Sequence, residues 1–261
     1  MKIFDDIETI FFCDESKFYT NAGDYDDAIY YFSIAVDKSL KNKLENELKN
    51  ILAKRKVQAP VYHSTSIFSE RGPRKYLMDD LCNLIVENKL QCFCFKYSKP
   101  LLFKATRQLS YLNNGILNFE KDEFQALFYF IILFNTHLRD EKPNMLKQKF
   151  AMFFDKNVYG VEGTEQFSFP DSAYVIKFMT FVEKSQIRLL ALPDFLGYIF
   201  RKAKLSNNRF EAGDNSLETS RLVINSYNSL LRITESNLFN FLDMDEKLDA
   251  LALILASYVV E

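Results

Sequence analysis

Two short apolar runs in this chain end on an aspartate. ETIFFC, residues 8 to 13, leads into Asp14, Glu15 and Ser16, and KFAMFF, residues 149 to 154, leads into Asp155. A third aspartate, Asp194, follows Pro193 at the head of an amphipathic segment. Carboxylate oxygens are hard ligands suited to Mg2+ or Mn2+, and two such ions bridged by carboxylates can activate a water and stabilise a leaving oxygen in phosphodiester cleavage. The expectation is therefore one metal site drawn from Asp14, Asp155 and Asp194. Each acid also has a plainer use. Asp14 and Glu15 can be solubilising acids at a strand end, Asp155 a turn residue in FFDKNVYG, and Asp194 a complement to the positive end of its own helix, worth about 0.3 to 1 kcal/mol. On a strand, Asp14 and Glu15 point to opposite faces, so one of them alone can reach a given ion, and Asp14 is favoured. His63, in VYHSTS, lies near a predicted strand end, where an imidazole can orient a water or protonate a leaving group; a surface or satisfied buried histidine is the plainer alternative. His137, at the end of an apolar helix, is given no role.

For three acids so far apart in sequence to meet, they must share one end of a sheet. The runs 8 to 13 and 28 to 36 read as neighbouring strands, joined through KFYTNAGDYDDA, which holds turn chemistry, so a hairpin is expected. From Asp37 the period becomes helical, with Leu40, Leu44, Leu48 and Ile51/Leu52 on one stripe and Asp37 or Ser39 as cap. Pro60 opens an extended piece, PVYHSTSIF, before a second amphipathic helix bearing Tyr76, Leu77, Leu81, Leu84 and Ile85. A third strand is expected over residues 90 to 97. Helices over about 99 to 113 and 119 to 139 precede the run that ends at Asp155. A last strand falls within 173 to 190, and Pro193 then starts a helix, since proline suits the first helical position. After Ser206 the chain reads as helix alone. This alternation gives an α/β class, and ligand sites in such sheets gather at the carboxyl ends of strands. SNNRFEAGDNS, residues 206 to 216, is the best boundary. It divides a core over 1–205, with a helical insertion over about 99–139, from a C-terminal helical cap of the same domain over 206–261.

Composition narrows the function classes. The 261 residues carry a net charge of −2, so no global positive field drives non-specific nucleic-acid binding, and such contact would need a local patch. Three stretches offer one: residues 41 to 56, 71 to 75 and 201 to 209. Each reads first as a solvated face. The four cysteines, Cys13, Cys82, Cys92 and Cys94, form no CxxC pair, and two histidines are too few to make structural zinc attractive. Cys92 and Cys94 share one strand face as small hydrophobes in a reducing compartment. The opening MKIFDDIETI is too acidic for a secretory leader and the longest apolar runs are too short for a membrane span, so a cytoplasmic protein without membrane contact is expected. GxSxG, P-loop, glycine-rich dinucleotide and HExxH motifs are all missing, against the common hydrolase, NTPase, dehydrogenase and zinc-protease classes.

FFCDES, VYHSTS, the FFDK strand end and LLALPDFLGYIFRK together resemble the bacterial and phage family known as domain of unknown function 3800. Asp14, Glu15 and Ser16 match its strand-end Asp-Glu-Ser motif. Asp194, Phe195, Leu196 and Tyr198 match its late Asp-Phe-Leu-Ala-Tyr helix, with Lys17 where glycine is usual and Pro193 where alanine is. The resemblance covers roughly residues 8 to 204. It implies an RNase H-like mixed sheet flanked by helices, and a metal-dependent nuclease or a descendant of one, often tied to phage defence or mobile elements. On that basis Asp14, Asp155 and Asp194 would hold one or two Mg2+ or Mn2+ ions. Glu15 would be a further ligand or support the ligands from behind, His63 would assist proton transfer, and Arg201, Lys202 and Lys204 would flank the cleft. RNA or DNA would be the substrate. The alternative is a catalytically inert RNase H-like module that uses its apolar C-terminal helices to bind a protein partner in a defence or toxin system; a homodimer through the last helix is also open.

Overall fold

A computed structural model of the chain describes residues 7–17, 28–57, 63–69, 75–98, 122–141, 149–162, 164–168, 175–211 and 220–258. Its centre is a seven-stranded mixed sheet in the order β5-β6-β4-β1-β2-β3-β7. The strands are β1 (Thr9–Lys17), β2 (Ala28–Asp37), β3 (Gln91–Ser98), β4 (Phe150–Asp155), β5 (Glu165–Ser168), β6 (Ile176–Val182) and β7 (Phe239–Asp243). β1, β2 and β3 pair antiparallel in succession, whereas β4 runs parallel to β1, and β6 parallel to β4. The α/β class and the hairpin expected from the sequence are both present.

β1 and β4 are apolar on both faces because both faces are covered. Ile10 and Phe12 enter one core with Phe153 and Val182, packed under α1 (Lys41–Lys54), α3 (Lys75–Glu87) and α6 (Ala191–Glu211). Phe11 and Cys13 enter the other with Phe150, Met152 and Phe154, under α4 (Asp122–Glu141). That second core is built from interlocked rings: Phe134 stands edge-on to Phe11 and to Phe95, each at 4.8 Å, and Phe130 stacks on Tyr31 at 4.4 Å. Such pairs add about 0.5 to 1.5 kcal/mol each beyond burial.

With only seven glycines in the chain, helix ends use other residues in the left-handed region. Lys56, Lys89 and Asn237, at φ 55°, 52° and 55°, terminate α1, α3 and α7 (Ser220–Glu235), and the amide two places past each helix returns to a carbonyl in its last turn. After Asn237 the chain is thereby turned into β7 alongside β3, with Cys92 N–H donating to the Leu238 carbonyl at 2.8 Å.

Several expectations are corrected. The C-terminal third is not helix alone, because β7 joins the sheet before α8 (Asp245–Tyr258). A five-residue strand is too short to stand out as a period among helices. β5, shorter still at four residues, is also absent from the sequence-based expectation. Residues 64 to 69 form a short helix, α2 (Ser64–Ser69), where an extended piece was expected. Tyr76, placed on the apolar stripe of α3, is 57% exposed and lies under Arg55. α6 begins at Ala191, after a 3-10 turn over Arg188–Leu190, so Pro193 sits inside its first turn, where a missing N–H still costs nothing. Residues 206 to 211 continue α6, and 212–219 lie outside the described residues, as does the helix expected over about 99 to 113.

Candidate metal centre

Strand register brings the acids together. Phe12 lies opposite Phe153, and Asp155 opposite Val182. Two residues beyond Phe12 is Asp14, two beyond Phe153 is Asp155, and two beyond Val182 is Lys184. Because Phe12, Phe153 and Val182 face one core, the strand period points all three polar side chains to that same side, at the carboxyl ends of three adjacent parallel strands. Asp194 comes down onto them from the first turn of α6.

The Lys184 ammonium stands among the carboxylates. Its Nζ is 3.2 Å from Asp14 Oδ1, 3.7 Å from Asp194 Oδ1 and 3.9 Å from Asp155 Oδ2. The lysine side chain is 3% exposed and that of Asp155 2%, with Asp14 and Asp194 at 11% and 15%. One face of the cluster therefore reaches solvent through Asp14 and Asp194. Burial pushes the Asp14 carboxyl up to about 8, Lys184 opposes that rise, and Asp194 and Glu15 add to it. Burial works against the Lys184 ammonium, but Asp14, Asp194 and Asp155 together outweigh it and hold its pKa above the ordinary lysine value.

Two of the acids, Asp155 and Asp194, keep a second contact that fixes the rotamer. Asp155 Oδ1 caps the short helix α5 (Lys156–Tyr159) by accepting from Asn157 N–H and Nδ2, both at 3.1 Å. Its turn role and its site role are thus compatible, one oxygen for each. Asp194 Oδ2 accepts the Ser64 N–H at 2.6 Å, which ties the start of α2 to the start of α6. Among the described residues, buried Asp155 Oδ2 has no hydrogen-bond donor and faces the ammonium at 3.9 Å.

Glu15 is not part of this cluster. It lies on the other face of β1, where Tyr31 Oη donates to its Oε2 at 3.3 Å and itself lies 3.3 Å from Tyr159 Oη. Pleating alone decides this, since neighbours on a strand point opposite ways. His63 is half-buried and immediately precedes Ser64, whose amide contacts Asp194, while its own carbonyl accepts from Ile67 N–H of α2 at 2.9 Å. Lys184 is not legible in the sequence because the expected strand is bounded only loosely within 173 to 190; a strand ending at Val182, opposite Asp155, places Lys184 two residues beyond that level on the same side.

Of the basic stretches, that on α1 is partly neutralised, with Arg55 Nε 2.7 Å from Asp80 and Lys43 3.5 Å from Glu47. Residues 71 to 74 lie outside the described residues. Arg201 and Lys202 lie against the Tyr198 ring, while Lys204 reaches Tyr30, covering its ring and bonding its hydroxyl. At about 1.5 Å per residue, Lys204 stands about 15 Å along α6 from Asp194, too far to flank the carboxylates.

The donor set suits a hard cation: oxygen only, mostly buried, with an unsatisfied lone pair on Asp155. Among the described residues, no three acidic, histidine or cysteine side chains stand in a closed ligand shell, because the carboxylates are spread around the ammonium. Comparison of the chain with protein-family models, curated proteins and solved structures finds no match. Among the described residues no helix is long and apolar enough to cross a membrane.

Proposed function

We propose that this chain is a metal-dependent phosphodiester hydrolase with an RNase H-like core, a divergent relative of the family that its motifs resemble, acting on RNA or DNA. The observation that carries the reading is the convergence of Asp14, Asp155 and Asp194 on one cation, Lys184, at the carboxyl ends of parallel strands. The antiparallel succession β1 to β3, extended by parallel β4 and β6, supports the RNase H-like part of it.

Mg2+ or Mn2+ bound there would supply a Lewis acid for the phosphoryl oxygen and an activated water. The protein's part is to hold the ligands. Asp14 would offer its carboxylate from β1, Asp155 the unsatisfied Oδ2 from β4, and Asp194 the oxygen not engaged by Ser64. Asn157 and Ser64 fix the last two carboxylates before any ion arrives, which lowers the ordering cost of binding. Burial of Asp155 and Lys184 keeps bulk water from one side, while Asp14 and Asp194 border the open side where a phosphate would approach.

Isothermal titration of the protein with Mn2+, alongside Asp155→Asn, and cleavage of labelled RNA and DNA with Mg2+ or EDTA test this. Binding and cleavage that disappear in the variant are the expected result; cleavage unaffected by the change would refute it. The filled position of Lys184 favours a second reading, an inert module that binds a protein partner. For that role α7 offers Ile224, Tyr227 and Leu231 at 54%, 44% and 39% exposure, at helical spacing. Absence of any Mn2+ binding would favour it.

A further inference from the structure

We propose that Lys184 is the resident cation of this site: its ammonium stands where a divalent ion would bind, must swing out before that ion enters, and so sets the metal affinity. This rests on reading the acids as a metal centre.

One nitrogen sits among three carboxylates, yet only the 3.2 Å approach to Asp14 is a hydrogen bond, while 3.7 and 3.9 Å to Asp194 and Asp155 are ionic contacts alone. The ammonium is a loosely shared counter-ion with no tight partner. Metal–oxygen bonds of about 2.0 to 2.6 Å need the same oxygens drawn inward, into the volume that Nζ fills, so both cations cannot occupy it together. One ammonium brings a single positive charge to a group of three acids, where a divalent ion brings two. Asp155 Oδ2, buried and without a donor among the described residues, is an acceptor that the lysine leaves unsatisfied.

Local structure lets the side chain move while the backbone stays. Lys184 lies just past the last residue of β6, in a turn closed by Gln186 N–H to the Glu183 carbonyl at 2.9 Å. The turn is anchored by Glu183 to Lys156 at 2.8 Å, on the helix that Asp155 caps. A flexible four-carbon stem on an anchored turn can redirect its head by rotamer change alone. If the swung-out state is populated at about 10% or less, the apparent dissociation constant for the metal is raised at least about tenfold.

Titrating Mn2+ into the full chain and into Lys184→Met and Lys184→Gln by calorimetry is the test. Binding at least about tenfold tighter in the variants is expected; equal or weaker binding overturns the role of Lys184 while leaving the metal centre standing. No binding by any of the three proteins would instead overturn the metal centre itself. Because removing the ammonium can compromise folding, a second measurement uses the unaltered protein: reductive methylation of lysines followed by peptide mass spectrometry, with and without Mg2+. Lys184 should be protected in metal-free protein and become reactive as Mg2+ binds. Protection that persists at saturating Mg2+ overturns the proposal.

Discussion

Gly197 lies three residues past Asp194 on α6, against β2, and it sets how closely the helix carrying that acid approaches the sheet. A Cβ at position 197 would meet Phe32 Cδ2 at 2.9 Å and Cε2 at 3.1 Å. Carbon atoms prefer about 3.5 to 4.0 Å, so helix or ring would have to shift by roughly 0.5 to 1 Å. Phe32 has little freedom to give way, being fully buried, stacked with Tyr30 at 6.5 Å and tilted against Phe200 at 5.5 Å. For Gly197→Ala, overpacking costs about 1 to 3 kcal/mol, and the helix propensity of alanine returns about 0.8 to 1 kcal/mol. The net expectation is a loss of about 0 to 2 kcal/mol, or a few degrees in melting temperature. Urea and thermal unfolding followed by circular dichroism measure it, and Mn2+ calorimetry should show weaker binding as Asp194 is carried away from Asp14. Adding Phe32→Leu should relieve the clash, leaving the double variant more stable than the two single losses added together. An alanine variant more stable than wild type by about 1 kcal/mol, with unchanged metal affinity, would show that helix propensity dominates. The close approach to Phe32 would then not be what positions Asp194.

Two further perturbations test the electrostatics. In metal-free protein the folded state keeps a proton on Asp14 up to pH about 8, whereas the unfolded chain releases it near 3.8, so the folded state binds more protons between those values. Stability from this group is therefore greatest at the acid end, falls as pH rises across that window, and is level above it; urea midpoints should follow that slope, and Asp14→Asn should flatten it. Asp245, at the start of α8, accepts the Ser98 N–H at 2.6 Å and lies 3.4 Å from Lys96, tying the end of β3 to the helix after β7. Asp245→Ala should cost about 1 to 2 kcal/mol and speed hydrogen exchange first in β7; uniform exchange across the sheet would refute a local anchor.

The central strands are legible because burial on both faces writes itself as unbroken apolar runs, and two of those runs end on an aspartate. Asp14 and Asp155 could be paired on that ground alone. Asp194 was reachable through the helix-start chemistry of its proline. What stayed hidden were residues whose meaning lies in a partner distant in sequence. β5 and β7 are strands of four and five residues that owe their form to the edge they complete, β5 beside β6 and β7 beside β3, not to any period of their own. The short helix α2 donates its Ser64 N–H to the carboxylate of Asp194, 130 residues away, which no local pattern around His63 announces. Lys184 is the sharpest case. In VEKSQIR it reads as one more solvated charge in a turn, and its burial follows only once β6 is in register with β4, so that the ammonium reaches two aspartates it never meets in sequence. A buried lysine is costly unless it is paired, and three carboxylates are costly unless they face a cation. Each half of that arrangement therefore explains the other: the lysine, absent from any motif of acids, balances acids that meet only in the folded sheet.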